Sequence, residues 1–207
     1  MSLSTFLAFL GASVLLTIAP GPDNTFVVAQ GISRGRRAAV ITALGMCSGV
    51  SVHTTAAALG LSALLYSSAT AFSVLKYLGA AYLLFLAWQA FRAGDLALPQ
   101  ADADAQPGWR LFRRGFLMNV VNPKVGLFFL AFLPQFVTPG TANPALRMFL
   151  LGLVFMAQGV AVFVSIAFLA GSVGDTLRAR PRLSRGFNRL TAGVLAALGL
   201  RLALARR

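Results

Sequence analysis

Six apolar stretches, each long enough to cross a lipid bilayer as a helix, constrain this chain more than any other sequence feature. A hydrocarbon core of about 30 Å requires roughly 20 predominantly apolar residues in a helix. The stretches cover residues 4–32, 38–65, 70–91, 113–137, 145–173 and 188–205. Because 57% of the 207 residues are hydrophobic and only 11% are charged, one soluble core could not bury them all. We therefore predict an all-α integral membrane protein with about six transmembrane helices.

The basic residues fall mainly on one side of this arrangement. The connections after the first, third and fifth segments, with the adjoining segment ends, contain Arg34, Arg36, Arg37, Arg92, Arg110, Arg113, Arg114, Arg178, Arg180, Arg182, Arg185 and Arg189. The opposite side holds only Arg147, Arg206 and Arg207. The positive-inside rule places the Arg-rich side in the cytoplasm and both termini outside. Membrane orientation thus accounts for the net charge of +13, and nucleic acid is not predicted as a partner.

A polar linker near residues 93–111 divides the segments into two sets of three. An odd number of helices per half would insert the second half upside down. Pro20, Gly21 and Pro22 interrupt the first segment, and Pro123 interrupts the fourth, which is its counterpart. We predict a single transporter domain over residues 1–207, in which residues 1–92 and 112–207 form inverted three-helix repeats with Pro-broken helices one and four.

The two interruptions are also the best candidates for a binding site. Proline removes an amide donor and clashes with the preceding turn, so backbone groups are freed where the helix breaks. Within a bilayer, such groups are tolerated only where protein or a water-filled cavity satisfies them. Paired broken helices in corresponding halves are the strongest sequence indication of a transporter site.

Opposite charges directly follow the two breaks. Asp23 begins the second half-helix, where its carboxylate could cap exposed amides, and Lys124 follows Pro123 within an apolar run. An ionisable group at mid-bilayer costs at least ~2.5–3.5 kcal/mol, which favours a functional role. Two alternatives stay open: Asp23 as a purely structural cap, and Lys124 as a side chain that snorkels to the membrane surface.

If the halves are related as predicted, Asp23 and Lys124 approach each other and form a site that suits a zwitterion. A substrate ammonium would meet Asp23 and helix C-terminal carbonyls, and its carboxylate would meet helix N-terminal amides, Lys124 or an Asn amide. The flanking amides that complete this candidate site are Asn24, Asn119 and Asn122.

His53 and Gln135 are further candidates for the site. His53 could relay protons or be a hydrogen-bonded core residue, and Gln135, like Gln158, could line a polar path. All five acidic residues are Asp and none are clustered as hard cations require, so we predict no metal. Because no nucleophile elbow or nucleotide-binding loop is present, we predict neither an enzyme nor a cofactor.

Residues 19–24 (Ala-Pro-Gly-Pro-Asp-Asn), 31–37, 45–53, 79–83, 115–124 (ending Asn-Pro-Lys) and 132–136 together carry a family resemblance. They resemble the LysE/RhtB family of bacterial amino-acid exporters. The resemblance implies a secondary transporter of the bacterial inner membrane that exports amino acids in exchange for protons. In that membrane, the outer side on which the charge distribution places both termini is the periplasm. Membrane lipid is then a partner, and self-association into a homo-oligomer is left open. Export of another small solute or a cation by the same architecture remains the alternative.

Overall fold

The computed structural model describes residues 2–19, 21–61, 69–92, 106–137, 141–179 and 181–204. Pro20 and most of the predicted linker therefore lie outside the described residues. Within them the chain is helical and contains no strand, which confirms the predicted all-α class. The α-helices are α1 (Leu3–Ile18), α2 (Pro22–Arg34), α3 (Arg36–Ala56), α4 (Ala69–Arg92), α5 (Gly108–Val120), α6 (Pro123–Leu127), α7 (Pro144–Ala179) and α8 (Pro181–Leu204).

Two helices end in turns of different pitch. A π-helical turn, Ala57–Leu61, continues α3. A second π-helical turn, Phe128–Phe132, continues α6 and leads into the 3₁₀ turn Leu133–Phe136. Such turns interrupt the regular hydrogen-bond ladder and are common at functional sites.

Two helical stretches of the described residues, Arg36–Gly60 and Pro144–Ala170, are each long and apolar enough to cross a bilayer. Two helix pairs meet the same test when each is taken together. α1 and α2 bend by 55° at their junction, and α5 bends by 47° against the stretch from Pro123 to Phe136. The described residues thus supply two spans, or four if each bent pair is one span. The predicted count of six stays a prediction.

Both bends lie where sequence analysis expected an interruption. α1 ends at Ile18, and α2 begins at Pro22 after an extended Gly21. α5 ends at Val120, and α6 begins at Pro123. Proline is favoured at the first position of a helix because its fixed φ suits the helix and its missing amide hydrogen is not needed there.

Close packing holds α5, which ends at the second break, against α3. A Cβ atom at Gly45 would overlap the carbonyl group of Phe112, and one at Gly115 would overlap the carbonyl oxygen of Thr42. Small residues at such contacts let two helix backbones touch, as is typical of helices in membranes. Elsewhere α3 also packs on α7, and α4 packs on α8.

Large apolar side chains cover much of the outer surface. The exposed examples on α4 and α7 are Tyr77, Leu78, Phe85, Trp88, Phe91, Leu146, Phe149, Leu150 and Leu153. Soluble monomers rarely expose contiguous apolar surface on this scale. The helices are therefore compatible with a lipid environment.

The interior contains an aromatic cluster formed by Phe9, Phe128, Phe129, Phe132, Phe136 and Phe155. Neighbouring rings lie 5.0–5.4 Å apart between centroids, for example Phe9 with Phe136 and Phe129 with Phe155. These distances are typical of favourable aromatic pairs. The cluster joins the first half of α1 to the segment that follows α6.

The α3–α5 contact predicts a position-dependent cost for one added methyl group. We expect Gly45→Ala to lower the free energy of unfolding by about 1–3 kcal/mol, because the new Cβ must push the two backbones apart. Gly11→Ala is the matched control, since nothing lies within 4 Å of its Cβ position. Unfolding of the purified proteins in mixed micelles would measure the difference, and equal stability of the two variants would contradict close α3–α5 packing.

Candidate functional site

The break between α1 and α2 and the break between α5 and α6 meet in the interior. Side chains at the second break donate hydrogen bonds to groups at the first. Lys124, after the second break, donates from Nζ to the carbonyl oxygens of Leu16 at 3.1 Å and Ala19 at 2.9 Å. Asn119, before the second break, donates from Nδ2 to Oδ2 of Asp23 at 3.1 Å. These partners are 96 to 108 residues apart in sequence. The structure therefore brings Asp23, Asn119 and Lys124 together, as the sequence predicted.

Asp23 is the second residue of α2, and only 2% of its surface is exposed. The expected capping bond is not observed: Gly21 is the N-cap of α2, and no side chain caps this helix end. The carboxylate still lies in the first turn, at the positive end of the helix dipole. Its Oδ2 accepts from Asn119, whereas Oδ1 has no hydrogen-bond partner among the described residues. One carboxylate oxygen is therefore left for another donor.

Lys124 is 6% exposed, and its ammonium group is held inside the protein rather than extended toward solvent. The two carbonyls that it binds belong to the C-terminal end of α1, where the helix dipole favours a cation. Two of its three N–H donors are thereby used. A Cβ atom at Gly21 would lie 3.0 Å from Nζ, so the backbone beside the ammonium group is open only because residue 21 is glycine.

Asn24 and Asn122 complete the helix ends. Asn24 donates from Nδ2 to the carbonyl oxygens of Thr17 at 2.9 Å and Ile18 at 3.2 Å, which accounts for the carbonyls that Lys124 leaves free. Asn122 caps α6, since its Oδ1 accepts from the backbone N–H of Lys124 at 3.0 Å. Satisfying these groups in a water-poor interior allows the helix to be broken there.

His53 and Gln135 lie outside this group. His53 donates from Nε2 to the carbonyl oxygen of Asn119 at 3.0 Å, and its ring packs near Gly126 and Phe129. His53 therefore hydrogen-bonds the backbone of Asn119 and does not line the cavity beside Asp23. Gln135 donates to Ala131 at 3.1 Å within its own segment and does not line that cavity either.

Asp23 and Lys124 share a small enclosed cavity with Thr17, Asn119 and Phe155. The cavity volume is about 20 Å³, which is room for one water molecule. Ligand sites in proteins usually hold about 300 Å³ or more. No salt bridge joins Asp23 to Lys124 in this described part of the chain, because Asn119 and the α1 carbonyls take the place of a direct pair. In this conformation the cavity is therefore closed to a ligand of ordinary size.

The cavity region has more unpaired acceptors than unpaired donors. Besides Asp23 Oδ1, the buried atoms Asn119 Oδ1 and Gln158 Oε1 have no partner among the described residues. Gln158 donates from Nε2 to Thr17 Oγ1 at 2.9 Å, which places it at the edge of the cavity. Unpaired buried acceptors favour a ligand that brings donors, such as an ammonium group.

Sequence reasoning did not single out Thr17. Its only signal is a polar residue shortly before the first break, in an otherwise apolar stretch, and its contact with Gln158 spans 141 residues. For metals, the described residues contain no group of three His, Cys, Asp or Glu side chains placed to hold an ion.

Comparison with known proteins gives one consistent family. The chain matches the family described as LysE type translocator over residues 6–206. It is 31% identical to the homoserine/homoserine lactone efflux protein of Salmonella typhimurium, with 100% of this chain and 99% of that one aligned. It is 30% identical to the leucine efflux protein of Klebsiella pneumoniae over 96% and 94% of the two chains. No solved structure matches. These relatives point to a membrane translocator rather than to an enzyme.

The bonds made by Lys124 predict that it contributes to stability independently of transport. We expect Lys124→Met to lower the free energy of unfolding by about 1–3 kcal/mol, because the carbonyls of Leu16 and Ala19 lose their donor while the side-chain volume is kept. Lys76→Met, at the other lysine, is the matched control. Denaturant titration in micelles measures both, and an equal effect of the two substitutions would argue against a buried role for Lys124.

Proposed function

Because the chain belongs to the LysE type translocator family, we propose that it exports amino acids or close derivatives across the bacterial inner membrane in exchange for protons. The observation that carries this proposal is the pair of buried charges, Asp23 and Lys124, which line one cavity at the meeting point of two helix breaks. A buried ionisable pair within apolar helices is expensive and indicates an ion or substrate pathway.

The proposal includes the predicted architecture of six spans in two inverted repeats, with each bent helix pair as one broken span. Two observations support it. Pro22 and Pro123 both occupy the first position of a helix, as the repeat relation would require if Asp23 and Lys124 are equivalent positions of the two halves. In addition, α3 packs on α7 and α4 on α8, and the repeat relation would map each of these contacts onto itself.

The names of the relatives narrow the chemistry of the substrate. Homoserine, homoserine lactone and leucine share an α-amino group, but the lactone has no free carboxylate. The unpaired oxygens Asp23 Oδ1 and Asn119 Oδ1 suit that shared ammonium group. A carboxylate, where the substrate has one, would meet the remaining N–H of Lys124 and the unpaired Nδ2 of Asn122 at the positive end of α6.

Release to the outside requires the aromatic cluster to open. The cluster extends from the break toward the N-terminal half of α1, through the contact between Phe9 and Phe136, and Phe155 both lines the cavity and packs on Phe129. Since the N-terminus is predicted to be periplasmic, the cluster is an outer seal. Moving these rings apart, while the Arg-rich side stays closed, would give the outward-open state.

Competition at Asp23 provides a route for coupling. Oδ1 can hold either a proton or the substrate ammonium, but the two exclude each other. Ionised Asp23 would bind the substrate from the cytoplasm, and a proton from outside would take its place on release. One proton moved inward down ~100 mV releases about 2.3 kcal/mol, which sustains a roughly fiftyfold gradient of a neutral zwitterion.

We expect Asp23→Asn to lose proton-driven export of amino acids at unchanged protein abundance, because the amide keeps the size and the bond partner but cannot exchange a proton. Inside-out vesicles with an imposed proton gradient measure accumulation, and a protonophore should abolish it in the wild type. His53→Ala is the comparison variant and should have a smaller effect. Gradient-independent export by the wild type would show a facilitator instead.

We expect Lys124→Gln to separate the two substrate types. Transport of homoserine should fall about tenfold or more, because a charge-assisted hydrogen bond to its carboxylate is lost. Homoserine lactone lacks that carboxylate and should retain most of its transport rate, whereas Asp23→Asn should impair both substrates. Competition between the two labelled substrates in one vesicle preparation gives the ratio directly. Equal losses in Lys124→Gln would remove Lys124 from substrate recognition.

A further inference from the structure

A second cavity lies away from the paired charges, where α2 ends and α3 and α5 begin. It has a volume of about 590 Å³, far more than the closed central cavity. Its polar lining comes from Ser33, Arg34, Arg37 and Gln106, together with the backbone of Gly108. By the charge count this is the Arg-rich side of the protein.

Arg34 is incompletely satisfied at this cavity. Its Nη1 donates to Oε1 of Gln30 at 2.8 Å, but the buried atoms Nε and Nη2 have no partner among the described residues. Gln30 is fully buried, and its Nε2 also lacks a partner there. Arg34 as a whole is partly exposed, but buried N–H donors of a cation that have no partner among the described residues favour an anionic ligand.

Helix ends add to the positive potential of the same cavity. Arg37 lies in the first turn of α3, where a cation is unfavourable with respect to the helix dipole, so helix stability does not explain it. α5 begins at Gly108, and no side chain caps its first turn. Residues from the first turns of two helices, Arg37 with Ala38 and Gly108, thus line the same cavity as Arg34, and helix N-termini and guanidinium groups are both groups that bind phosphate.

Trp109 indicates the depth of the cavity in the membrane. It follows Gly108 directly, is 66% exposed and stacks on Phe112 with ring centroids 6.0 Å apart. Exposed tryptophan is typical of the headgroup level of a bilayer. We use Trp109 as the marker of the headgroup level, and on that basis we place the cavity at the height of lipid phosphates.

The chain itself has few anions to offer on this side. The connections on the Arg-rich side contain twelve Arg residues and four of the five acidic residues of the chain, which are Asp95, Asp102, Asp104 and Asp175. We propose that the cavity at Arg34 and Arg37 binds the phosphate group of an anionic phospholipid headgroup. The other sources of the same chemistry are a soluble phosphate and the chain's own carboxylates, and the experiment separates them.

Trp109 also provides the probe. In a Trp88→Phe variant it is the only tryptophan, because the chain contains two. Quenching of its fluorescence by brominated phosphatidylglycerol, relative to brominated phosphatidylcholine, reports relative lipid binding in reconstituted vesicles. We expect the Trp88→Phe protein to prefer phosphatidylglycerol and Arg37→Gln to lower that preference by about tenfold or more, because a charge-assisted hydrogen bond to the lipid phosphate is lost.

Arg36→Gln is the matched control, because Arg36 and Arg37 are adjacent, both exposed and equally charged, but only Arg37 lines the cavity. It should leave the preference nearly unchanged, while Arg34→Gln should lower it as Arg37→Gln does. Equal loss in Arg36→Gln and Arg37→Gln would overturn the proposal, because general surface charge would then explain the preference.

Two further arms test the other sources of anion. Inorganic phosphate or glycerol phosphate, added to the protein in phosphatidylcholine vesicles, should not raise its thermal stability; a rise that depends on Arg37 would assign the cavity to a soluble anion. Replacing Asp95, Asp102, Asp104 and Asp175 by Asn should leave the lipid preference dependent on Arg37. If the preference instead rose severalfold, a carboxylate of the chain would be the occupant, and the proposal would be wrong.

Discussion

The need to satisfy the carbonyl groups at the end of α1 is the constraint on which the rest of the site depends. The helix stops at Ile18, next to the buried residues Leu16, Thr17 and Ala19, and its last carbonyls have no partner within the helix. Lys124 binds those of Leu16 and Ala19, and Asn24 binds those of Thr17 and Ile18. Because Lys124 comes from the other half of the chain, this one set of bonds also fixes where the second break must lie.

The same bonds hold the site closed. Separating the two breaks would leave several backbone carbonyls without donors, each at a cost of about 1–3 kcal/mol. A ligand with an ammonium group can replace part of what is lost, because it brings its own N–H donors to the same oxygen-rich space. The separated state would therefore have a higher free energy without ligand than with it. An exchanger requires such a difference, because a ligand shifts a conformational equilibrium only through its different affinity for the two states.

Sequence analysis expected interruptions near Pro22 and Pro123, and a helix begins at each of these residues, because the effect of proline on the backbone is local. It could not find the partner of each charge. The bond from Asn119 to Asp23 and those from Lys124 to α1 depend on how distant segments pack, and so does the close contact of Gly45 with Phe112. The expected capping role of Asp23 was wrong for a related reason: the extended Gly21 is the N-cap, and the side chain is turned to Asn119 instead. The hydrogen bond between Gln30 and Arg34 joins residues one helical turn apart. The cavity beside Arg34, however, is lined by residues from three helices, so its presence could not be predicted from the local sequence.

The two buried charges are treated differently by their surroundings, and this difference assigns their parts in the proposed exchange. Lys124 donates two of its three N–H groups to backbone carbonyls, which do not titrate. The end of α1 therefore sets the position of its ammonium group. Asp23 has one oxygen on an Asn amide and the other without a partner among the described residues. A group that must exchange ligands in each cycle needs one coordination position that the protein leaves open, and Asp23 has it. Lys124 instead offers a fixed positive charge, which orients a zwitterion without having to release or take up anything itself. The asymmetry follows from where the two residues lie, because both follow the proline that begins a helix: a carboxylate there is stabilised by its own helix N-terminus, whereas an ammonium group must reach across to the C-terminus of another helix.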